Sequence, residues 1–244
     1  MGKIKQVKPH IRTMLNHISF RMLYGRIVKE HQYLSSLHYN LKAVGWDDFT
    51  FFPDGFAANA SLLYLLFKIL QKTKPKTILE LGSGQSTKIT TRYVKENENS
   101  QITILEDCEE WFDKTNLDIF ASKRSRYICS PLVQTKFGKH KRLWYSTKLL
   151  VEEDKTYDLI LVDGPFGTMR YSRIGIANYI PKIIDEKNFI IVFDDAARIG
   201  EQDTIKAIKK IFRKNNLSYV EFHVYGSKKQ TCLISPNFSF LGTN

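Results

Sequence analysis

The chain has 244 residues, enough for one domain with an extension and a full core. Hydrophobic residues make up 43% and charged residues 25%, which is ordinary for a globular protein and excludes a disordered or collagen-like chain. The net charge of +12 is concentrated: residues 1–29 carry Lys3, Lys5, Lys8, Arg12, Arg21, Arg26 and Lys29 and no Asp or Glu. Three scattered cysteines without ligand spacing argue against a structural zinc and suit a reducing compartment. No stretch has the apolar core of a signal peptide or the length of a membrane span. The expectation is a soluble, cytoplasmic protein, with peripheral membrane contact through the basic N-terminus as the variant.

Residues 10–45 place Ile11, Leu15, Ile18, Met22 and Leu23 at helical spacing, prolonged by Tyr24, Ile27 and Val28. This predicts an amphipathic helix with a basic outer face. It could pack on the main domain, pair with a second copy as a homodimer, or meet an anionic membrane, substrate or nucleic acid. The division expected is 1–54 as a basic helical N-terminal extension and 55–244 as the catalytic domain. Between them, Trp46 to Asp54 reads as an aromatic loop closed by Pro53 and Gly55. Asn59 to Leu70 reads as a buried helix.

Ile78, Leu79 and Leu81 form a short apolar run that enters a Gly-rich turn, Gly82-Ser83-Gly84. Ser86 and Thr87 follow, and a helix can continue from Lys88. Strand, glycine turn and helix bring backbone N–H groups and a helix N-terminus to a polar ligand. Glu80 stands just before the first glycine. The next apolar run, Ile102 to Leu105, ends in Glu106, where a carboxylate can take two ribose hydroxyls. Asp107 follows, and Glu109 to Phe120 reads as helix, with Trp111 as packing.

Arg126 to Cys129 is a short strand, then Ser130-Pro131-Leu132. Lys136 to Lys148 mixes Lys136, Lys139, His140, Lys141, Arg142 and Lys148 with Trp144 and Tyr145. It is either a solvated loop with an aromatic anchor or a grip on phosphate, uronic acid or RNA, with Trp144 and Tyr145 against the substrate. Leu159 to Val162 is a continuous apolar run, as in a strand buried on both faces of a parallel sheet. It ends in Asp163-Gly164-Pro165. Phe189 to Phe193 is a second such run and ends in Asp194-Asp195. Ligands bind beyond the carboxyl ends of such strands, so three carboxylates are offered to one cleft. Arg170 and Arg198, just past those ends, are candidates for an anionic substrate. Asp203 to Lys214 reads as helix. Ser218–Tyr225 and Gln230–Ile234 read as a closing hairpin, with His223 as a weaker candidate base. The alternation of strands and helices over 77–234 predicts an α/β fold with a mostly parallel sheet.

Glu80-x-Gly82-x-Gly84 followed by an acidic strand end resembles the cofactor site of class I S-adenosylmethionine (SAM) methyltransferases, with Ser86 where a third glycine would stand. The resemblance implies a Rossmann-like seven-stranded sheet with a closing antiparallel hairpin. It implies SAM bound through Glu80, Gly82, Ser83, Gly84, Ser86, Thr87, Glu106, Asp107 and Asp163, with Phe52, Asp54 and Gly55 near the cleft. Asp163, Asp194 and Asp195 resemble the Mg²⁺-holding and catalytic positions of metal-dependent O-methyltransferases. Asp163-Gly164-Pro165 also resembles the glucuronoxylan O-methyltransferases, where the Asp would serve as base or orienter without a metal. The implied activity is methyl transfer to a hydroxyl of a sugar, glycan or related small molecule. An RNA ribose methyltransferase and a nucleotide-binding oxidoreductase are the competing readings.

Overall fold

The computed structural model describes residues 9–46, 48, 50–51, 58–110, 123–146 and 155–243, with residues 9–22 described as backbone only. Phe52, Asp54, Gly55, Trp111 and Lys148, and most of the helix expected at 109–120, lie outside the described residues.

The sheet has seven strands in the order β3-β2-β1-β6-β7-β9-β8. These are β1 (Thr77–Leu81), β2 (Gln101–Glu106), β3 (Ser125–Cys129), β6 (Leu159–Val162), β7 (Ile190–Phe193), β8 (Val220–Tyr225) and β9 (Lys229–Ile234). The first five pair in parallel, and β9 runs antiparallel to both β7 and β8. The predicted Rossmann-like sheet with a closing hairpin is therefore present. Its central strands β6 and β7 are fully buried, as their unbroken apolar runs require.

The two-residue period of a strand divides the core into two layers. Ile78, Ile102, Ile104, Leu159, Leu161 and Val192 face one side, under α1 (Pro9–Ala43), α2 (Ala60–Thr73) and α3 (Gln85–Glu96). Leu79, Leu81, Leu105, Ile160, Val162 and Ile191 face the other, under α4 (Ile199–Lys214) and a 3-10 turn at Ile174–Asn178. α2 lies where its apolar run predicts, and its N-cap is Asn59, whose side chain accepts from Leu62 N–H. α4 starts four residues earlier than expected.

The helix α1 changes character along its length. Leu37 and Leu41 are buried in the first core layer. Residues 23–29 are exposed on every side of the helix. The predicted apolar stripe is thus not a single packed face: Leu23 and Ile27 are 60% and 47% exposed. Among the described residues, no helix is long and apolar enough to cross a membrane.

The segment expected as a basic loop is a hairpin. β4 (Leu132–Phe137) and β5 (His140–Tyr145) pair antiparallel from Leu132↔Tyr145 to Phe137↔His140. Trp144 and Tyr145 are completely buried in the second core layer. The alternation that marks a half-buried strand is broken because Val133 and Leu143 face outward, 43% and 57% exposed, while Thr135, His140 and Arg142 are half-buried.

Candidate active site

Two loops at the carboxyl edge of the sheet cross in van der Waals contact. Gly82 follows β1 with φ +86°, and a Cβ there would stand 2.8 Å from Gly164 N. A Cβ on Gly164 would stand 2.1 Å from the Tyr145 hydroxyl and 2.8 Å from Gly82 Cα. Glycine is required at both points, at Gly82 also for its left-handed backbone. The close approach that Gly82 permits is made to the Asp163 loop. The amides of Asp163 and Gly164 both donate to Leu81 O, which ties the loops together.

Beside this crossing is a cavity of about 360 Å³, within the range of small-molecule sites. One wall is Gly82, Ser83, Gly84 and Ser86, with Glu106 and Asp107. The adjoining wall is Asp163, Gly164, Asp195 and Arg198. The expected cofactor residues other than Glu80 and Thr87 thus converge on one space.

Glu80 and Thr87 do not line it. Glu80 shares a face with Ile78, so its side chain points under α3. Its carboxylate accepts hydroxyl hydrogen bonds from Ser86 (2.6 Å), Thr87 (2.9 Å) and Thr90 (2.7 Å). Burial raises its pKa while these hydroxyls pull it back. Thr87 Oγ1 also accepts from Gly84 N–H at 2.9 Å, holding the turn against the helix start. Both residues position the loop from behind.

Glu106 sits at the cavity with its acceptor capacity spread over the turn. Oε2 accepts from Ser83 N–H at 2.8 Å and Ser83 Oγ at 2.9 Å, and Oε1 from the amides of Asp107 and Cys108. Burial, then the neighbouring Glu106, raises the Asp107 carboxyl.

The three aspartates meet as predicted. Ligand oxygens of Asp163, Asp194 and Asp195 lie within 4.8 Å of one another, and no other such group of His, Cys, Asp or Glu occurs among the described residues. Asp195 takes a left-handed conformation, φ +52°, which for a residue other than glycine is a strained state that clusters at functional sites. Asp194 has no exposed surface and stands behind the cavity wall. Its Oδ1 accepts from Gln230 Nε2 at 2.8 Å. Burial, then the Asp194 carboxylate, pushes Asp163 up to about 7, against the pull of Arg173 and Lys228. Asp195 is raised by burial and by Asp194.

Three cations stand against the three carboxylates, Arg198 on Asp195 at 2.9 Å among them. Arg173, only 2% exposed, reaches Asp163 at 3.5 Å and Glu201 at 3.4 Å, and also donates to the carbonyls of Val162 and Pro165. Lys228 lies 3.5 Å from Asp194 and 3.8 Å from Asp195. Arg173 is shared with Glu201, so among the described residues four carboxylates face three cations. The donor set therefore fits one hard divalent cation such as Mg²⁺, which takes carboxylate oxygens. Arg173, Lys228 and Gln230 were not anticipated. A lone Arg, Lys or Gln far along the chain carries no spacing signal that ties it to a carboxylate cluster.

Of the proposed substrate residues, Arg198 lines the cavity and pairs with Asp195 at 2.9 Å. Arg170 does not line it. Its guanidinium makes a two-pronged pair with Asp203 at 2.9 and 3.0 Å. Trp144 and Tyr145 are corrected to core: the Trp144 ring lies where a Cβ on Gly175 would be, 2.1 Å away. These aromatics hold the hairpin to the domain, so they cannot stack on a substrate. His223 is remote from the cavity; its Nδ1 is 3.0 Å from Thr231 Oγ1.

No protein-family model matches the chain, and no curated protein matches it in sequence. Solved structures do match in fold. An O-methyltransferase from Bacillus cereus in complex with SAH has a TM-score of 0.56 at 13% identity, covering 87% of this chain and 99% of that one. The O-methyltransferase TomG from Streptomyces achromogenes, involved in tomaymycin synthesis and solved with SAM, has a TM-score of 0.53 at 13% identity, over 84% and 90% of the two chains. A Staphylococcus aureus protein described as a caffeoyl-CoA O-methyltransferase has a TM-score of 0.52 at 15% identity, over 85% and 99%. The chain has the class I methyltransferase fold, with its cavity at the carboxyl edge of the sheet.

Proposed function

We propose that the protein is a SAM-dependent O-methyltransferase acting on a hydroxyl of a sugar, glycan or related small molecule. One observation carries this reading: the glycine turn and Glu106 form one wall of a cavity whose other wall carries Asp163 and Asp195, with Asp194 directly behind. A nucleoside cofactor on the first wall would face a carboxylate cluster suited to an acceptor hydroxyl. Similarity in fold to proteins solved with SAH and SAM supports the choice of cofactor.

SAM supplies the methyl group as an electrophile on its sulfonium sulfur. Ser83, Gly84 and Ser86 present the turn and helix start, and Glu106 presents carboxylate oxygens for ribose hydroxyls. Asp163, Asp194 and Asp195 would hold one Mg²⁺, which lowers the pKa of an acceptor hydroxyl coordinated to it. Gln230 fixes Asp194, and Arg173 fixes the Asp163 loop, so the cluster is held in place before substrate arrives. Arg198 offers a cation at the same wall for an anionic group on the acceptor. Burial of Trp144 and Tyr145 removes the stacking platform on which the RNA reading depended, which favours a small acceptor.

The test is calorimetric titration with SAM and with NAD⁺ on the wild type, Glu106→Ala and Glu106→Gln. SAM binding that weakens at least about ten-fold in both variants supports the cofactor site. No SAM binding, or preference for NAD⁺, overturns it. Methyl transfer to sugar and polyol acceptors, with Mg²⁺ and with chelator, then tests the metal.

A further inference from the structure

We propose that the N-terminal arm of α1 is a docking element for an anionic lipid bilayer, placed so that the cavity mouth faces the same surface. The argument starts from where the arm leaves the domain. Glu30 ties the helix to the domain. Its carboxylate accepts from Asn59 Nδ2 (3.1 Å), Ser61 N–H (3.0 Å) and Ser227 N–H (2.7 Å). Ser227 lies in the turn between β8 and β9. That turn stands at the carboxyl edge of the parallel strands, because Thr231 of β9 pairs with Phe193, the last residue of β7. The next residue, Lys228, reaches Asp194 and Asp195.

From Glu30 the helix runs down the first core layer through Leu37 and Leu41, to Trp46. The Trp46 indole donates to Glu96 at the far end of α3, near the amino edge of the sheet. In the other direction residues 9–29 continue as helix past the carboxyl edge, over about 30 Å. Residues 23–29 are exposed all round, and nothing lies within 4 Å of the Cβ position of Gly25. The arm therefore leaves the domain on the side where the cavity opens.

Its chemistry selects the partner. Residues 1–29 carry seven Lys and Arg and no acidic residue. Two such arms would repel each other, and the rest of the chain is also net basic, so a second copy is electrostatically mismatched. A nucleic acid would match the charge but not the exposed Leu23, Ile27 and Val28. An anionic bilayer satisfies both: apolar side chains enter the acyl boundary while Lys and Arg meet headgroup phosphates. The cavity rim has the same character. Phe166, which lines the cavity, is 67% exposed. Met169 and Ile199 beside it are 68% and 53% exposed, and Met169 O packs against Gly200.

The test uses the full chain with vesicles of phosphatidylcholine alone and of phosphatidylcholine mixed with phosphatidylglycerol. Cosedimentation with the mixed vesicles only, weakened by salt, is expected. Arg26→Gln with Lys29→Gln should lower partitioning roughly 25-fold, about five-fold per cation, and Leu23→Ser with Ile27→Ser should lower it by a similar factor. Circular dichroism and SAM titration of both variants should match the wild type, because these side chains are exposed and do not line the cavity. Equal binding to neutral and anionic vesicles, or none, overturns the proposal. So does a dimer in sedimentation equilibrium that Leu23→Ser with Ile27→Ser dissociates, which would assign the arm to a second copy, or retention of RNA by an arm that ignores vesicles. Vesicle binding needs neither SAM nor an acceptor, so it succeeds or fails independently of the enzymatic reading.

Discussion

Two buried acidic sites stand at the same edge of the sheet and differ in how their charge is met. Glu80 sits under α3, with three hydroxyls donating to its two oxygens. Asp163, Asp194 and Asp195 crowd together with Arg173 and Lys228 at 3.5–3.8 Å and Arg198 at 2.9 Å, and Asp194 raises the pKa values of the other two. The first site is complete, and its carboxylate acts as a strut between β1 and the helix that follows. The second is incomplete, and its unmet charge is a demand for a cation or a proton. A buried acid near a glycine motif is therefore structural or chemical according to what satisfies it, not according to its place in the motif.

The largest expected contrast is between activity and stability at the two sites. Asp163→Asn should lower methyl transfer by roughly 10³-fold, the scale for losing a group that handles the acceptor proton or its cation. The same variant should leave SAM affinity within a few-fold and the protein at least as stable at neutral pH. A variant that keeps full activity would remove Asp163 from the chemistry.

Glu80→Ala should do the reverse. It leaves three buried hydroxyls without their acceptor and opens a void, costing roughly 2–4 kcal/mol in urea unfolding. The turnover of the folded fraction should change far less than in Asp163→Asn. Loss of activity without loss of stability would return Glu80 to the cofactor.

The pH dependence of stability sharpens the same contrast. Asp163 binds its proton more tightly folded, at about 7, than an ordinary aspartate at 3.8. Its contribution to stability is therefore fully present below about pH 4 and is lost as pH rises through about 7. In chelator, unfolding free energy should fall by roughly 2 kcal/mol between about pH 5 and about pH 8 on this account. Asp163→Asn should flatten the slope, and Mg²⁺ should restore stability at the upper end. An unchanged slope in the variant would show that the cluster is not the group titrating.

The smallest effect is expected between the two arginines. Arg170→Ala breaks a part-buried pair with Asp203, whose side chain is 6% exposed, and should cost about 1 kcal/mol, with little change in KM. Arg198→Ala should raise KM for an anionic acceptor several-fold with kcat nearly intact. Equal KM effects would show that the cavity wall does not read the acceptor charge.

The sequence by itself determined the sheet and the general place of its site. Unbroken apolar runs at 159–162 and 189–193 mark strands buried on both faces, and chemistry in such folds collects where those strands end. Glu106, the three aspartates and the glycine turn were legible because each lies at a strand end, a position that spacing along the chain reveals. The role of Glu80 was also within reach, since two-residue alternation places it with Ile78 and away from the cavity. The β4–β5 hairpin was hidden because Val133 and Leu143 face outward while Thr135, His140 and Arg142 are half-buried, which breaks the apolar alternation. Only the tertiary structure decided the rest. Arg173 joins the aspartates from one distant segment and Lys228 and Gln230 from another, and Gly164 meets Gly82 across 82 positions of chain. Trp144 and Tyr145 become core because the hairpin folds onto the Ile174–Asn178 turn. Local periodicity encodes which face a side chain takes, but charge compensation and close backbone contact depend on distant segments, and only the folded chain brings those together.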